Sequence, residues 1–237
     1  QYITEISLKS PATMIPQAKN ELKRMADMAQ ENLDRSIKGF LNQSDEYLNK
    51  IYHREEDINN VSHAITDYLV KSNQLSLPLA DQKILGSMFY VVNDIERIGD
   101  HAENFADYTK TELKHNTGLT GDAKEEIKKM YEAVSKLLKL SLESFMAQDG
   151  VNTQEDKLAE IAALEASIDK MERRYQKHHI KRLAKGDCEP RAGLLFSDML
   201  SELERIADHS VNIAYSMSDE DEDEMLAAEN EALATNN

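Results

Sequence analysis

The sequence predicts an all-α fold, a tandem pair of antiparallel three-helix bundles with six long helices in all. Three observations carry that expectation. Apolar residues recur at steps of three and four, as in Ile127, Met130, Val134, Leu137 and again in Leu158, Ile161, Leu164, Ile168, Met171, Tyr175. Such spacing puts one apolar stripe on a helix of about 3.6 residues per turn. Turn formers are scarce, with 8 Gly and 4 Pro in 237 residues, whereas a many-stranded protein needs a turn signal every 8–12 residues or so. Finally, ERIGDHAENFA at 96–106 returns as ERIADHSVNIA at 204–214, with seven of eleven columns identical at an offset of 108.

The elements follow in order. Helices are expected at about 12–42, 45–73, 79–114, 122–148, 153–184 and 190–217. Ser10-Pro11 can open the first, since Pro is tolerated in a first helical turn. Asp122 to Glu125 and Thr153 to Asp156 have the spacing of capping boxes or their acidic relatives. Helices this long with short links pack as antiparallel neighbours. The repeated segment falls in the third helix of each half, so the chain divides into a first repeat at 12–114, a linker at 115–121 and a second repeat at 122–217. Residues 1–11 read as a linker that could join a membrane domain, and 218–237 as an acidic disordered tail.

Composition excludes several classes of function. The chain carries 44 Asp+Glu against 28 Lys+Arg, a formal charge of −16. Nucleic acid is therefore not expected as a partner, because that binding depends on clustered cations. Eight of the acids lie in 219–237, six of them consecutive from Asp219 to Glu224, so half the excess belongs to the tail. The single cysteine, Cys188, allows neither an internal disulfide nor a CxxC site. It is not expected to act as a nucleophile. No apolar run approaches a membrane span.

The repeated segment is where chemistry is expected. Glu96 and Asp100 lie four residues apart and share a helix face with Asn93, Asn104 and Asp107, roughly opposite Ile95, Ile98, Ala102 and Phe105. Glu204, Asp208 and Asn212 oppose Leu203, Ile206 and Ile213 in the same way. Packing explains the apolar columns but not repeated outward carboxylates, and a bound cation would relieve their repulsion. Glu165 and Asp169 on the fifth helix, and Glu55 with Asn59 on the second, stand in matching places to complete such sites. His101 and His209, with Asn104 and Asn212, are candidates for ligands or for partners of the ligands. Arg97 and Arg205 are expected to pair with acids on the adjoining helix. His178-His179, among Lys177, Lys181 and Arg182, reads as a solvated basic patch, with a phosphate or phospholipid contact as the sharper alternative.

Two copies of an ERIGDH-type motif, one per three-helix half, resemble the PhoU family over about residues 12–217. The resemblance implies tandem three-helix bundles that hold multinuclear metal clusters, iron or zinc in the first place and Mn, Ni or Mg as further options, and a non-enzymatic role in regulating phosphate uptake and signalling. It carries metal ligation onto Glu96, Asp100, Glu204, Asp208, Glu165, Asp169 and Glu55, while Asn59 stands where an Asp is expected. The segment SPATMIPQAKNELKRM, from Ser10 to Met25, is similar to the stretch that follows the membrane part of bacterial Na⁺/phosphate cotransporter-family proteins. With the missing initiator Met, it implies a cytosolic domain tethered at the inner face of the plasma membrane, with a membrane transport domain of the same or another chain as partner. The alternative is a stand-alone regulator that meets a phosphate-signalling kinase or an ABC transporter; a homodimer is a further expectation. Two other readings stand beside these, a carboxylate-bridged di-iron bundle enzyme and a metal-free helical adaptor. The first needs two Glu-x-x-His pairs facing the bundle interior, and the sequence offers one, Glu112 with His115.

Overall fold

A computed structural model describes residues 2–3, 11–115, 118–147 and 151–216. The expected tail at 218–237 and most of the linker at 1–11 lie outside those residues. Six helices run in chain order: α1 (Pro11–Leu41), α2 (Leu48–Asn73), α3 (Leu79–His115), α4 (Gly121–Met146), α5 (Val151–Lys185) and α6 (Pro190–Tyr215). No strand occurs among the described residues. The all-α expectation therefore holds, with helix ends displaced by at most three residues.

Local chemistry sets several of those ends. Thr120, not Asp122, caps α4, and its hydroxyl accepts from the Ala123 backbone N–H at 3.2 Å. A short polar side chain one residue before the helix satisfies an otherwise orphaned donor. α5 begins at Val151, ahead of the expected capping box at 153–156. It closes at Gly186, whose φ of +76° suits glycine, with Gly186 N–H donating to Leu183 O and Asp187 N–H to Arg182 O. These are the two bonds of a Schellman end. Pro190 opens α6.

Burial follows the predicted stripes. Ile127, Met130, Val134 and Leu137 are fully buried on α4, as are Ile161 and Ile168 on α5, while Leu158, Leu164 and Met171 are half-buried against the same core. α1, α2 and α3 pack against one another, as do α4, α5 and α6, which makes two three-helix groups. The groups meet mainly where α3 crosses α6, with a smaller contact of α1 on α4. Both repeated segments lie on the third helix of their groups, α3 and α6, the pair that makes the main contact between the groups. Among the described residues no helix is long and apolar enough to cross a membrane.

Candidate metal-binding carboxylate clusters

α2 brings Glu55 against α3. Its side chain is only 3% exposed, and neither carboxylate oxygen finds a hydrogen-bond donor. Burial first, then the charges of Asp100, Glu103 and Glu96, push its carboxyl up to about 8. The turn of α3 beside it is Gly99, and a Cβ there would lie 2.8 Å from Glu55 Oε2. Gly99 thus makes room for the carboxylate. The sequence names Glu55, Glu96 and Asp100, and the structure brings them together; Glu103 was missed. Asn59, one turn along α2, is half-buried.

The second half repeats the arrangement less tightly. Glu165 is pushed up by burial and by Asp169 and Asp208. Glu204 is pushed up by burial and by Asp208, Glu172 and Asp169, and Asp208 by burial and Asp169. The four expected acids, Glu165, Asp169, Glu204 and Asp208, form one cluster, and Glu172 joins it. Ala207 stands where the first copy has Gly99. The halves therefore differ: one holds a deeply buried carboxylate under a glycine, the other a more open group.

His101, His209, Asn104 and Asn212 face elsewhere. The His101 Nδ1–H donates to Glu202 Oε2 and the Asn104 amide to the same oxygen at 3.1 Å. Reciprocally, His209 Nδ1–H donates to Asp94 Oδ1 at 2.8 Å and the Asn212 amide reaches it at 3.4 Å. The two imidazoles lie 5.7 Å apart, centroid to centroid. Tyr108 adds a 3.4 Å hydrogen bond to Glu202 Oε1. Each copy thus offers one carboxylate to the His and Asn of the other, across the α3–α6 seam. Burial would raise Glu202, yet the hydrogen bonds from His101 and Asn104 outweigh it and hold the carboxyl below its ordinary value. Sequence reasoning missed Asp94 and Glu202, although the signal was there: they are an acid in both copies at the same offset of 108.

Other expectations are corrected. Arg97 pairs with Asp100 on its own helix at 3.5 Å, not with an acid on the adjoining one. His179 is buried against the Phe196 ring rather than solvated, and burial lowers its pKa. Glu112 is buried and accepts a hydrogen bond from Gln43, while His115 is exposed. The only Glu-x-x-His spacing therefore makes no paired site. Burial pushes the Cys188 thiol up, which leaves it a poor nucleophile.

The donor chemistry fits hard cations, because the clustered groups are carboxylates whose charges oppose one another. Among the described residues, no three His, Cys, Asp or Glu side chains are so placed that they could hold an ion as they stand.

A pair of three-helix groups, each with acids gathered between its second and third helices, defines a duplicated all-helical domain. The PhoU domain matches residues 22–109 and 127–217, one copy per group, so the chain belongs to the PhoU domain family. It is 20% identical over 196 residues to the phosphate-specific transport system accessory protein PhoU homolog 1 of Thermotoga maritima, covering 82% of each chain. It is 23% identical over 199 residues to the phosphate-specific transport system accessory protein PhoU homolog of Clostridium acetobutylicum, covering 83% of this chain and 87% of that one. The crystal structure of PhoU from Pseudomonas aeruginosa superimposes with a TM-score of 0.77 at 19% identity, over 87% of this chain and 96% of that one.

Proposed function

We propose that the chain is a non-enzymatic regulator of phosphate transport whose two carboxylate clusters bind metal ions. The observation that carries the metal reading is Glu55, a buried carboxylate with no donor, faced by Glu96, Asp100 and Glu103. A carboxylate left this way is costly unless it is protonated or meets a cation. The first site is assigned to Glu55, Glu96, Asp100 and Glu103, and the second to Glu165, Asp169, Glu172, Glu204 and Asp208. The groups within each cluster are all carboxylates, so the donors there are all oxygen. That set suits Fe, Mn and Mg better than Zn or Ni.

The two accessory-protein relatives favour the reading as a regulator that acts on a phosphate transport system. Attachment to a Na⁺/phosphate cotransporter has no counterpart among the relatives named above. On this reading the partners are a transporter and a phosphate-signalling kinase at the cytoplasmic face.

The test is the metal content of the purified chain. Glu204→Ala with Asp208→Ala should remove the second-half metal, and Glu55→Gln the first-half metal. An unchanged metal-to-protein ratio in both variants would overturn the assignment. The regulatory reading is tested separately by phosphate uptake in cells with and without the gene; unchanged uptake and unchanged response to phosphate starvation would reject it.

A further inference from the structure

Charge is segregated along α5. In a chain of net charge −16, residues 170–185 hold seven Lys or Arg and a single acid, Glu172. Lys170, Arg173, Arg174, Lys177, His178 and Lys181 line one open groove of about 360 Å³. Helical spacing puts them within one broad sector of α5. Several are like-charged neighbours at i, i+4, among them Lys170 with Arg174, Arg173 with Lys177, and Lys177 with Lys181. Such pairs destabilise a helix unless something offsets them.

Internal partners offset only part of this charge. Arg173 reaches Asp169 at 3.4 Å, and Arg174 donates to the Tyr175 hydroxyl at 3.2 Å while lying over that ring. His178 meets Glu126 at 2.6 Å, and Arg182 meets the other oxygen of the same carboxylate at 2.9 Å. Glu126 is therefore already engaged by His178 and Arg182. Lys170, Lys177 and Lys181 have no acidic partner among the described residues. The helix dipole does not account for them, because it favours cations only in the last turn, and the groove begins four turns before Lys185.

We propose that this groove binds a phosphate-bearing anion, supplied either free in solution or as the headgroup of an anionic lipid. The residue types suit that chemistry. Arginine forks and lysine point charges together match a tetrahedral oxyanion with several acceptors. No acid lines the groove. The groove adjoins the second carboxylate cluster through the Arg173–Asp169 pair, but none of its lining side chains is a cluster acid and anion binding there does not depend on metal.

The experiment uses the full chain, stripped of metal by a chelator and then desalted, so that an anion cannot bind through a cluster. Calorimetric titration with inorganic phosphate and with tripolyphosphate is one arm. Co-sedimentation with phosphatidylcholine vesicles, with and without phosphatidylglycerol, is the other. Saturable binding of a soluble anion supports the site and identifies the free source; binding to anionic vesicles alone supports it and identifies the headgroup. Replacing Lys170, Lys177 and Lys181 together with Gln should weaken that binding by at least about tenfold. A control replaces the exposed Lys50, Lys128 and Lys139 with Gln, which removes the same charge elsewhere. Both variants are checked for unchanged helicity and melting. Absence of binding in both arms, or equal weakening by the control, would overturn the proposal.

Discussion

Glu55→Gln should stabilise the metal-free protein while it abolishes the first metal site. In the unfolded chain the Glu55 carboxyl ionises near its ordinary 4.5, but in the folded protein it keeps its proton to about 8. Between those values the folded state holds more protons than the unfolded state, so stability falls as pH rises and returns on acidification. The slope for one proton is about 1.4 kcal/mol per pH unit. Across most of that window the loss is about 3 kcal/mol near neutral pH. Gln has the same shape and no charge, so it should recover about that amount and flatten the pH dependence. Glu165, Glu204 and Asp208 contribute in the same direction, and Glu202 in the opposite one. The difference between wild type and variant cancels them and isolates Glu55. Urea denaturation from about pH 5 to about pH 8 measures it. Added metal should oppose the trend more strongly in the wild type than in the variant, which keeps only the second-half cluster, because a cation favours the ionised carboxylate. Parallel stability curves for the two metal-free proteins would refute the reasoning.

Gly99→Ala puts a Cβ 2.8 Å from Glu55 Oε2 and should cost about 1–3 kcal/mol as an overpacking change. Combined with Glu55→Ala it should cost much less, and a double-mutant cycle by denaturant melts measures the coupling. Glu202→Gln leaves the His101 and Asn104 donors facing a neutral acceptor. A loss of about 1–3 kcal/mol is expected in thermal or denaturant unfolding. Because Glu202 is held below its ordinary value, its stabilisation is present above the unfolded carboxyl's range and lost in acid. Glu202→Gln should therefore be less acid-sensitive than wild type. Phe196→Ala empties a fully buried position between α5 and α6 and should cost about 3–5 kcal/mol in denaturant melts.

The fold was legible because helical periodicity is a local signal, and the repeat at 96–106 and 204–214 marked the two halves without any long-range contact. The carboxylate clusters were legible for a related reason: acids four residues apart on a helix share a face whatever lies opposite. What faces them was not legible. His101 and Asn104 follow Asp100 in sequence, so proximity along the chain suggested one common site. For His101 helix geometry does the separating, since about 100° per residue turns it away from Asp100 and toward α6; Asn104 stays near the face of Asp100 and is drawn across the seam by its hydrogen bond to Glu202. The same arrangement places His209 and Asn212 against Asp94. The motif therefore serves two surfaces at once. Glu96, Asp100, Glu204 and Asp208 face the flanking helices, while Asp94, His101, Glu202 and His209 bind the halves to each other. A duplicated sequence would keep both sets, because a half that lost its seam residues would leave its partner's carboxylate buried and unpaired. Metal in either cluster would then act on helices already tied together at their centre. A change in cation occupancy at α2–α3 or α5–α6 would reach the other half chiefly through the α3–α6 seam, the larger of the two contacts between the groups.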